Sequence, residues 1–176
     1  MKLNCDLSDD QWKQASLPVT FGGLGIRAAR DLAPVGFLAS VHASKSVVND
    51  IYTSNSAKDV SGSIDAVQKW QESLSPPEED ERGHQKAWDD ISSRESLNAL
   101  TQSCPAGSAD RARLTSVRAP HSGAWLSALP LPQLGLKMSD QELRIAAGLR
   151  LGCKVIEPHT CTCGKQSDAF GQHSLS

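Results

Sequence analysis

The sequence contains the same helix start signal twice, and together with the apolar spacing between the two copies this signal favours a mainly helical fold. The tetrapeptides SDDQ at residues 8–11 and SDQE at residues 139–142 are both capping boxes. In such a box the serine hydroxyl accepts a hydrogen bond from the fourth residue's amide, and that residue's side chain reaches back to the serine amide. Pro18 must end the first helix near Ser16, and Gly152 ends the second helix directly after Leu151.

The spacing of apolar residues predicts further helices between these two. They cover about residues 33–52, 64–74, 85–103 and 108–117, with a helical turn at 122–129. The first of them should bury one face, formed by Phe37, Leu38, Val41, Val48 and Ile51. The helix from residue 139 to Leu151 is apolar on two sides, so we expect it to be buried between neighbours.

Changes in composition divide the chain into four parts. A helical segment (1–53) precedes a polar, acidic linker (54–83), which contains the stretch SPPEEDE, and a second helical segment (84–152) precedes a Cys/His tail (153–176). The predicted fold class is therefore mainly α: a small irregular helical bundle, or two, with a polar acidic linker and a loop-rich Cys/His tail.

Composition excludes several classes of protein and leaves others open. Eighteen Lys and Arg residues oppose 20 Asp and Glu residues, so the global charge neither supports nor excludes nucleic-acid binding. The sequence has no apolar run long enough to span a bilayer, and its first residues lack the apolar stretch that is typical of a secretory signal. Five cysteines, an odd number, fit free thiols or metal better than a disulfide framework. We expect an intracellular protein, in nucleus or cytoplasm, without a membrane or small-molecule partner.

The tail carries a candidate zinc site. Cys161, Cys163 and His173 place two thiols and an imidazole within 13 residues, and Gly164 and Gly171 allow tight turns among them. A structural zinc needs four ligands, so a fourth is expected shortly after His173, where the sequence stops. Within the chain, the alternatives for this ligand are His159 and Cys153. The competing interpretations are a frayed tail with two idle thiols and, with Glu157 as a base, a catalytic zinc.

Two other motifs have simpler explanations. The string GLGIRA at residues 23–28 matches a dinucleotide-binding fingerprint, but no strand precedes it and no second parallel strand follows, so its glycines are expected to let the backbone turn. The acidic pair Asp89–Asp90 has no third carboxylate at a useful spacing for two metals, and we expect it on the solvated side of a helix.

A basic cluster offers candidate phosphate contacts. The predicted nucleic-acid-binding residues are Arg111, Arg113, Arg118 and Arg150. A solvated helix face explains the same arginines equally well.

Two ordered stretches of the chain carry a family resemblance. Residues 12–27 read WKQASLPVTFGGLGIR, and residues 32–40 read LAPVGFLAS. This pair resembles the region that follows the polymerase palm in reverse transcriptases of LINE-type (non-LTR) retrotransposons. The stretch from SGAWL at residues 122–126 through LRLG at 149–152 to CTCG at 161–164 is similar to the C-terminal region of related elements.

The resemblance implies a role and a ligand set. It makes residues 1–53 thumb-like, and it matches Cys161, Cys163 and His173 to three ligands of a Cys-Cys-His-Cys knuckle whose last cysteine is missing here. In the family a restriction-like endonuclease follows the knuckle. The aromatic-x-Asp-Asp motif of the polymerase is absent, so we expect this chain to be a non-catalytic segment of an RNA-directed DNA polymerase that contacts RNA or DNA. The alternative is a small helical protein-interaction module without metal or nucleic acid.

Overall fold

The computed structural model of the protein describes residues 6–51, 70, 74–171 and 173. The chain forms two compact units, of which the first combines residues 1–26 with residues 97–176 and the second comprises residues 27–96. Both are built mainly from helices, which confirms the predicted fold class. None of the described helices is both long enough and apolar enough to span a membrane.

Six α-helices and one small β-hairpin make up the regular structure of the described residues. The helices are α1 (Asp9–Ser16), α2 (Ala29–Ile51), α3 (Gln85–Ser103), α4 (Ala109–Ser116), α5 (Ala124–Ser127) and α6 (Asp140–Leu151). Short 3-10 turns occupy Val19–Phe21, Glu79–Glu81 and Pro132–Leu134. Strands β1 (His159–Thr160) and β2 (Gln166–Ser167) pair antiparallel, with His159 opposite Ser167. The helix predicted at 64–74 lies almost entirely outside the described residues.

Both capping boxes form as the sequence predicts. The hydroxyl of Ser8 accepts from the Gln11 amide at 3.3 Å, and the Gln11 side-chain oxygen accepts from the Ser8 amide at 3.0 Å. At α6 the backbone amide of Ser139 donates to the Glu142 carboxylate at 2.7 Å. Gly152 ends α6 in the left-handed conformation, with φ of 69°. Local chemistry therefore sets these helix ends.

The core of the first unit consists of two small apolar clusters. One contains Leu17, Leu97, Leu100 and Leu114 and is flanked by Phe21 and Cys104. The other joins α1 to the end of α6 through Ala15, Leu151 and Cys153. These clusters hold the segment that leads into the Cys/His tail against the N-terminal helix.

The core of the second unit is centred on Trp88 of α3. Its side chain is 1 % exposed, its indole Nε1 donates to the carbonyl of Arg82 at 2.8 Å, and Trp70 packs edge-on against it at 5.4 Å between ring centroids. Val35, Leu38 and Ala39 of α2 complete the cluster.

The apolar stripe predicted for α2 is only partly correct. Leu38 is fully buried, whereas Phe37, Val48 and Ile51 are 40 %, 39 % and 68 % exposed. Burial follows the i, i+3, i+4 positions of Val35, Leu38 and Ala39, because that face meets Trp88.

Asp89 does not lie on a solvated surface, contrary to the sequence-based expectation. Its side chain is 16 % exposed and forms an ion pair with Arg27. Burial raises the pKa of the Asp89 carboxyl, and the Arg27 guanidinium opposes this rise. The pair therefore joins the start of α2 to α3 within the second unit.

Part of the predicted linker is described. Residues 54–69 and 71–73 lie outside the described residues, whereas Glu79–Glu81 form a 3-10 turn with exposed carboxylates. Pro77 is buried, and its carbonyl accepts from the Arg82 guanidinium at 3.0 Å. The division of the chain into four segments by composition remains a prediction.

Candidate metal centre

A tight hairpin positions the two cysteines of the tail. Strands β1 and β2 lead into and out of it, and the Cys161 amide donates to the Lys165 carbonyl at 2.8 Å. The Gly164 amide donates to the Cys161 carbonyl at 2.8 Å, which closes a four-residue turn over the intervening residues. Gly164 has φ of 83°, a conformation that favours glycine. The turn therefore brings both cysteines to the tip of the hairpin.

A second turn returns the chain to this tip. The Phe170 amide donates to the Asp168 carboxylate at 3.0 Å, and Gly171 follows with φ of 70°. The carbonyl of Ala169 accepts from the amides of Val155 and Ile156 at 2.8 and 3.2 Å. These bonds tie the returning segment to the residues after α6, so that His173 meets the hairpin.

Three predicted ligands meet at this place. The Sγ atoms of Cys161 and Cys163 and one ring nitrogen of His173 all lie within 4.8 Å of one another. The distance from Cys163 Sγ to His173 Nε2 is 3.1 Å. Ligand atoms around tetrahedral zinc lie about 3.5–3.8 Å apart, given zinc–sulfur and zinc–nitrogen bonds of about 2.3 and 2.0 Å. Small side-chain rotations therefore suffice to bring all three atoms onto one ion.

The surroundings of Cys161 favour its thiolate form. The hydrogen bond from the Cys163 amide, followed by those from the His173 and Cys163 side chains, lowers the pKa of the Cys161 thiol from 9.0 to about 6. Thr162 Oγ1, 3.9 Å from the sulfur, adds to the same effect. Thiolate is the form that binds metals, so the hairpin prepares this ligand.

The two alternatives for a fourth ligand are placed elsewhere. His159 lies outside the group of three, and its Nδ1 is 2.9 Å from the carbonyl oxygen of Glu157. Cys153 is 3 % exposed and packs in the core with Ala15 and Leu151. Its side chain therefore belongs to the apolar core. Cys153 does not join the group of three ligands, contrary to its interpretation as a possible fourth ligand.

The four predicted nucleic-acid-binding arginines do not share one environment. Arg111 and Arg118 are exposed. Arg113 is partly buried and donates to the Gln14 side-chain oxygen at 2.8 Å and to the Arg150 carbonyl at 2.6 Å. A phosphate contact by Arg113 would compete with these bonds.

Arg150 differs most from the expected surface position. It is 5 % exposed, and its guanidinium donates to the carbonyls of Val19, Gly23 and Ser122 at 2.9, 3.0 and 3.2 Å. Burial lowers the pKa of Arg150. The side chain therefore holds the glycine-rich turn and the start of α5 to α6, and it is unavailable to a phosphate. The sequence held a signal for this, because α6 is apolar on two sides and was expected to be buried.

The glycines of the sequence GGLG, residues 22–25, form the turn that packs against Arg150. In the segment 17–26, a 3-10 turn at Val19–Phe21 is followed by Gly22 with φ of 85°. A Cβ atom on Gly23 would lie 2.0 Å from the carbonyl oxygen of Leu17. Only glycine lets the chain fold this closely onto itself, which agrees with the rejection of the dinucleotide fingerprint.

Comparisons of the chain with protein-family models, with curated proteins and with solved structures find no match.

Proposed function

We propose that Cys161, Cys163 and His173 hold a structural zinc ion at the tip of the β-hairpin. This proposal depends on one observation: two thiol sulfurs and one imidazole nitrogen, from two separate turns, lie within 4.8 Å of one another. Two thiols and an imidazole suit zinc rather than magnesium or calcium, which prefer carboxylate and carbonyl oxygens. The fourth position is taken by a donor outside this group.

The wider role that we propose is that of a non-catalytic C-terminal segment of a LINE-type retrotransposon reverse transcriptase. Support comes from the ordered resemblance of residues 12–40 and 122–173, and from a three-ligand cluster on the residues that match the family's knuckle. In this role the zinc site fixes the geometry of the tail, and Arg111 and Arg118, which are exposed, contact phosphates of RNA or DNA.

The zinc site is tested by metal content and by single substitutions. Purified protein, loaded with zinc and dialysed, should retain one ion per chain by elemental analysis. Removing a residue that only hydrogen-bonds to a metal ligand already lowers the affinity for the metal by about 10–100-fold. We therefore expect Cys161→Ser, Cys163→Ser and His173→Ala to weaken binding by at least about 100-fold. His84→Ala, at an exposed position in the other unit, is the matched control and should bind zinc like the unaltered chain. Equal binding by all variants contradicts the site.

The nucleic-acid role is tested by binding at several salt concentrations. Replacing both Arg111 and Arg118 by alanine should weaken binding to an RNA–DNA hybrid and lower the slope of log K against log salt by about 2. Arg30→Ala, which removes a side chain that is 88 % exposed in the other unit, is the control. The same preparation should give no primer extension. Nucleotide incorporation contradicts a non-catalytic role, and an unchanged salt slope contradicts these phosphate contacts.

A second candidate function is supported by an exposed apolar loop. Leu129 and Leu134 are 69 % and 67 % exposed, and Leu131 and Leu136 are 40 % and 46 % exposed. Clustered exposed leucines are typical of protein-interaction sites. We propose as the alternative a helical protein-interaction module, which predicts a chain that binds neither zinc nor nucleic acid.

A further inference from the structure

The two cysteines of the hairpin are placed to react with each other. Cys161 and Cys163 lie in one turn, and their Sγ atoms are within 4.8 Å. Cys163 is exposed and Cys161 is half-buried, so oxidants in solution reach the sulfur of Cys163 first. Both are free thiols in this structure.

We propose that Cys161 and Cys163 are a modification site, at which a hydroperoxide converts the two thiols to an intramolecular disulfide. We further propose that this bond and the metal compete for the same sulfur atoms, a part that rests on the zinc site proposed above. The disulfide itself does not depend on zinc.

The geometry of the turn favours this bond over others. Sulfur atoms in a disulfide are about 2.05 Å apart, so side-chain rotation within the turn has to close less than about 3 Å. Among the other described cysteines, Cys153 is buried in the core beside Ala15 and Leu151, and Cys104 packs against the leucine cluster of α3 and α4. Only Thr162 separates the two cysteines, and the turn already holds their sulfur atoms close together.

The reaction proceeds in two balanced steps. The sulfur of one of the two cysteines attacks the peroxide oxygen and breaks the oxygen–oxygen bond, which gives a sulfenic acid and releases water or an alcohol. The sulfur of the other cysteine then displaces the hydroxyl group, which leaves as water with the proton of the second thiol. Two thiols are oxidised by two electrons in total, and one hydroperoxide is reduced.

Oxidation removes two of the three metal donors. A disulfide sulfur is a poor zinc ligand compared with a thiolate, and His173 alone does not form a structural site. Zinc bound to the hairpin should therefore be released on oxidation and taken up again after reduction.

The first experiment uses the full metal-free chain and so does not depend on the zinc proposal. After treatment with stoichiometric hydrogen peroxide, free thiols are alkylated and the protein is digested with trypsin. Residues 155–165 form one tryptic peptide, VIEPHTCTCGK, which contains these two cysteines and no other. We expect this peptide mainly in an unalkylated form about 2 Da lighter than its reduced form, as an intramolecular disulfide requires.

Two variants make the result specific. Cys161→Ser removes the second thiol, so the light peptide should disappear and a sulfenic acid should be trapped at Cys163 with a dimedone probe. Cys104→Ser is the matched control and should leave the light peptide unchanged. The proposal is overturned if residues 155–165 remain fully alkylated, or if their cysteines are recovered only in cross-links between chains or as sulfinic acids.

The second experiment tests the competition with the metal. Zinc-loaded protein is treated with peroxide in the presence of a chromogenic chelator, and the reductant dithiothreitol is then added. We expect zinc release in step with the light peptide, and recovery of zinc binding after reduction. A light peptide from a chain that never bound zinc refutes the proposed zinc site but supports the disulfide. Release of zinc without the light peptide refutes the disulfide.

Discussion

The side-chain nitrogen of Gln14 donates to the main-chain carbonyl of Arg150 at 2.9 Å, across 136 positions of sequence. The same nitrogen donates to the carbonyl of Gly22 at 3.0 Å, and the Gln14 side-chain oxygen accepts from Arg113. A buried amide thus satisfies groups from the glycine-rich turn, α4 and α6 at once. Buried polar networks of this kind are stabilising only when every member has its partners, so each is sensitive to substitution.

Arg150→Met should strongly destabilise the first unit. The substitution keeps much of the side-chain volume, but it leaves the carbonyls of Val19, Gly23 and Ser122 without their charged donor. Hydrogen bonds to charged groups contribute about 1.5–3 kcal/mol each, so we expect a loss of about 3 kcal/mol or more in the free energy of unfolding. Urea unfolding followed by circular dichroism measures it. Arg111→Met, at an exposed position, should change stability by less than about 0.5 kcal/mol. Equal effects of the two substitutions would contradict a core role for Arg150.

Gly23→Ala and Gly36→Ala should change stability in opposite directions. A Cβ atom on Gly23 meets backbone atoms of Leu17 and Gln14 at 2.6 Å or less, so the turn has to open, at a cost of about 2–4 kcal/mol. On Gly36, inside α2, the added atom meets only the Gln85 side chain at 3.7 Å, and the gain in helix propensity should be about 0.5–1 kcal/mol. Thermal unfolding of both variants measures these changes. A stable Gly23→Ala protein would rule out the close approach.

The thiol of Cys161 should ionise at unusually low pH in the metal-free protein. Because hydrogen bonds lower its pKa to about 6, the thiolate is present above that pH and becomes protonated as the pH falls through it. Zinc affinity should therefore lose the contribution of this ligand below about pH 6. Thiolate absorbance near 240 nm, measured against the Cys161→Ser variant, reports the transition.

His173→Ala should change the pH at which the Cys161 thiol ionises. The imidazole is the second-largest cause of the lowered pKa, so its removal should move the Cys161 transition upward, towards 9.0. An unshifted transition in this variant would show that the His173 ring does not contact the hairpin in solution.

The capping box of α6 should make the helix sensitive to acid. The hydrogen bond from the Ser139 amide, and then that from its hydroxyl, lower the pKa of Glu142 below the ordinary 4.5. The folded state therefore favours the carboxylate, and its contribution is present above the ordinary pKa and lost as the pH falls through the lowered value. Glu142→Gln does not titrate, so its melting temperature should depend less on pH over this range. If the melting temperatures of the unaltered protein and of Glu142→Gln changed equally with pH, the capping box would not contribute to stability in solution.

Local chemistry explains which features could be predicted from the sequence. The capping boxes at Ser8 and Ser139 and the helix end at Gly152 depend on neighbouring residues, and the structure confirms all three. The grouping of Cys161, Cys163 and His173 also follows from short spacing and two glycine turns. In each case the residues are separated by a short interval of sequence, so neighbouring turns and caps bring them together.

Long-range packing explains which predictions from the sequence were wrong. The two apolar sides of α6 indicate that the helix is buried, but the acceptors of Arg150 are the carbonyls of Val19, Gly23 and Ser122, which lie 28 to 131 positions away. Asp89 is partly shielded from solvent and pairs with Arg27, 62 positions away. Sequence patterns place both charged side chains at the surface, whereas partners distant in sequence withdraw Arg150 fully and Asp89 partly from solvent.

The order of synthesis matters for the first unit, which unites residues 1–26 with residues 97–176. On the ribosome, α1 emerges long before the segment that carries Arg150, so Gln14 lacks this acceptor until α6 has been synthesised. Until α6 has left the exit tunnel, water replaces this partner of Gln14, and α1 lacks its packing against Leu151 and Cys153. Premature termination before α6 would leave this N-terminal segment as a target for chaperones and proteases.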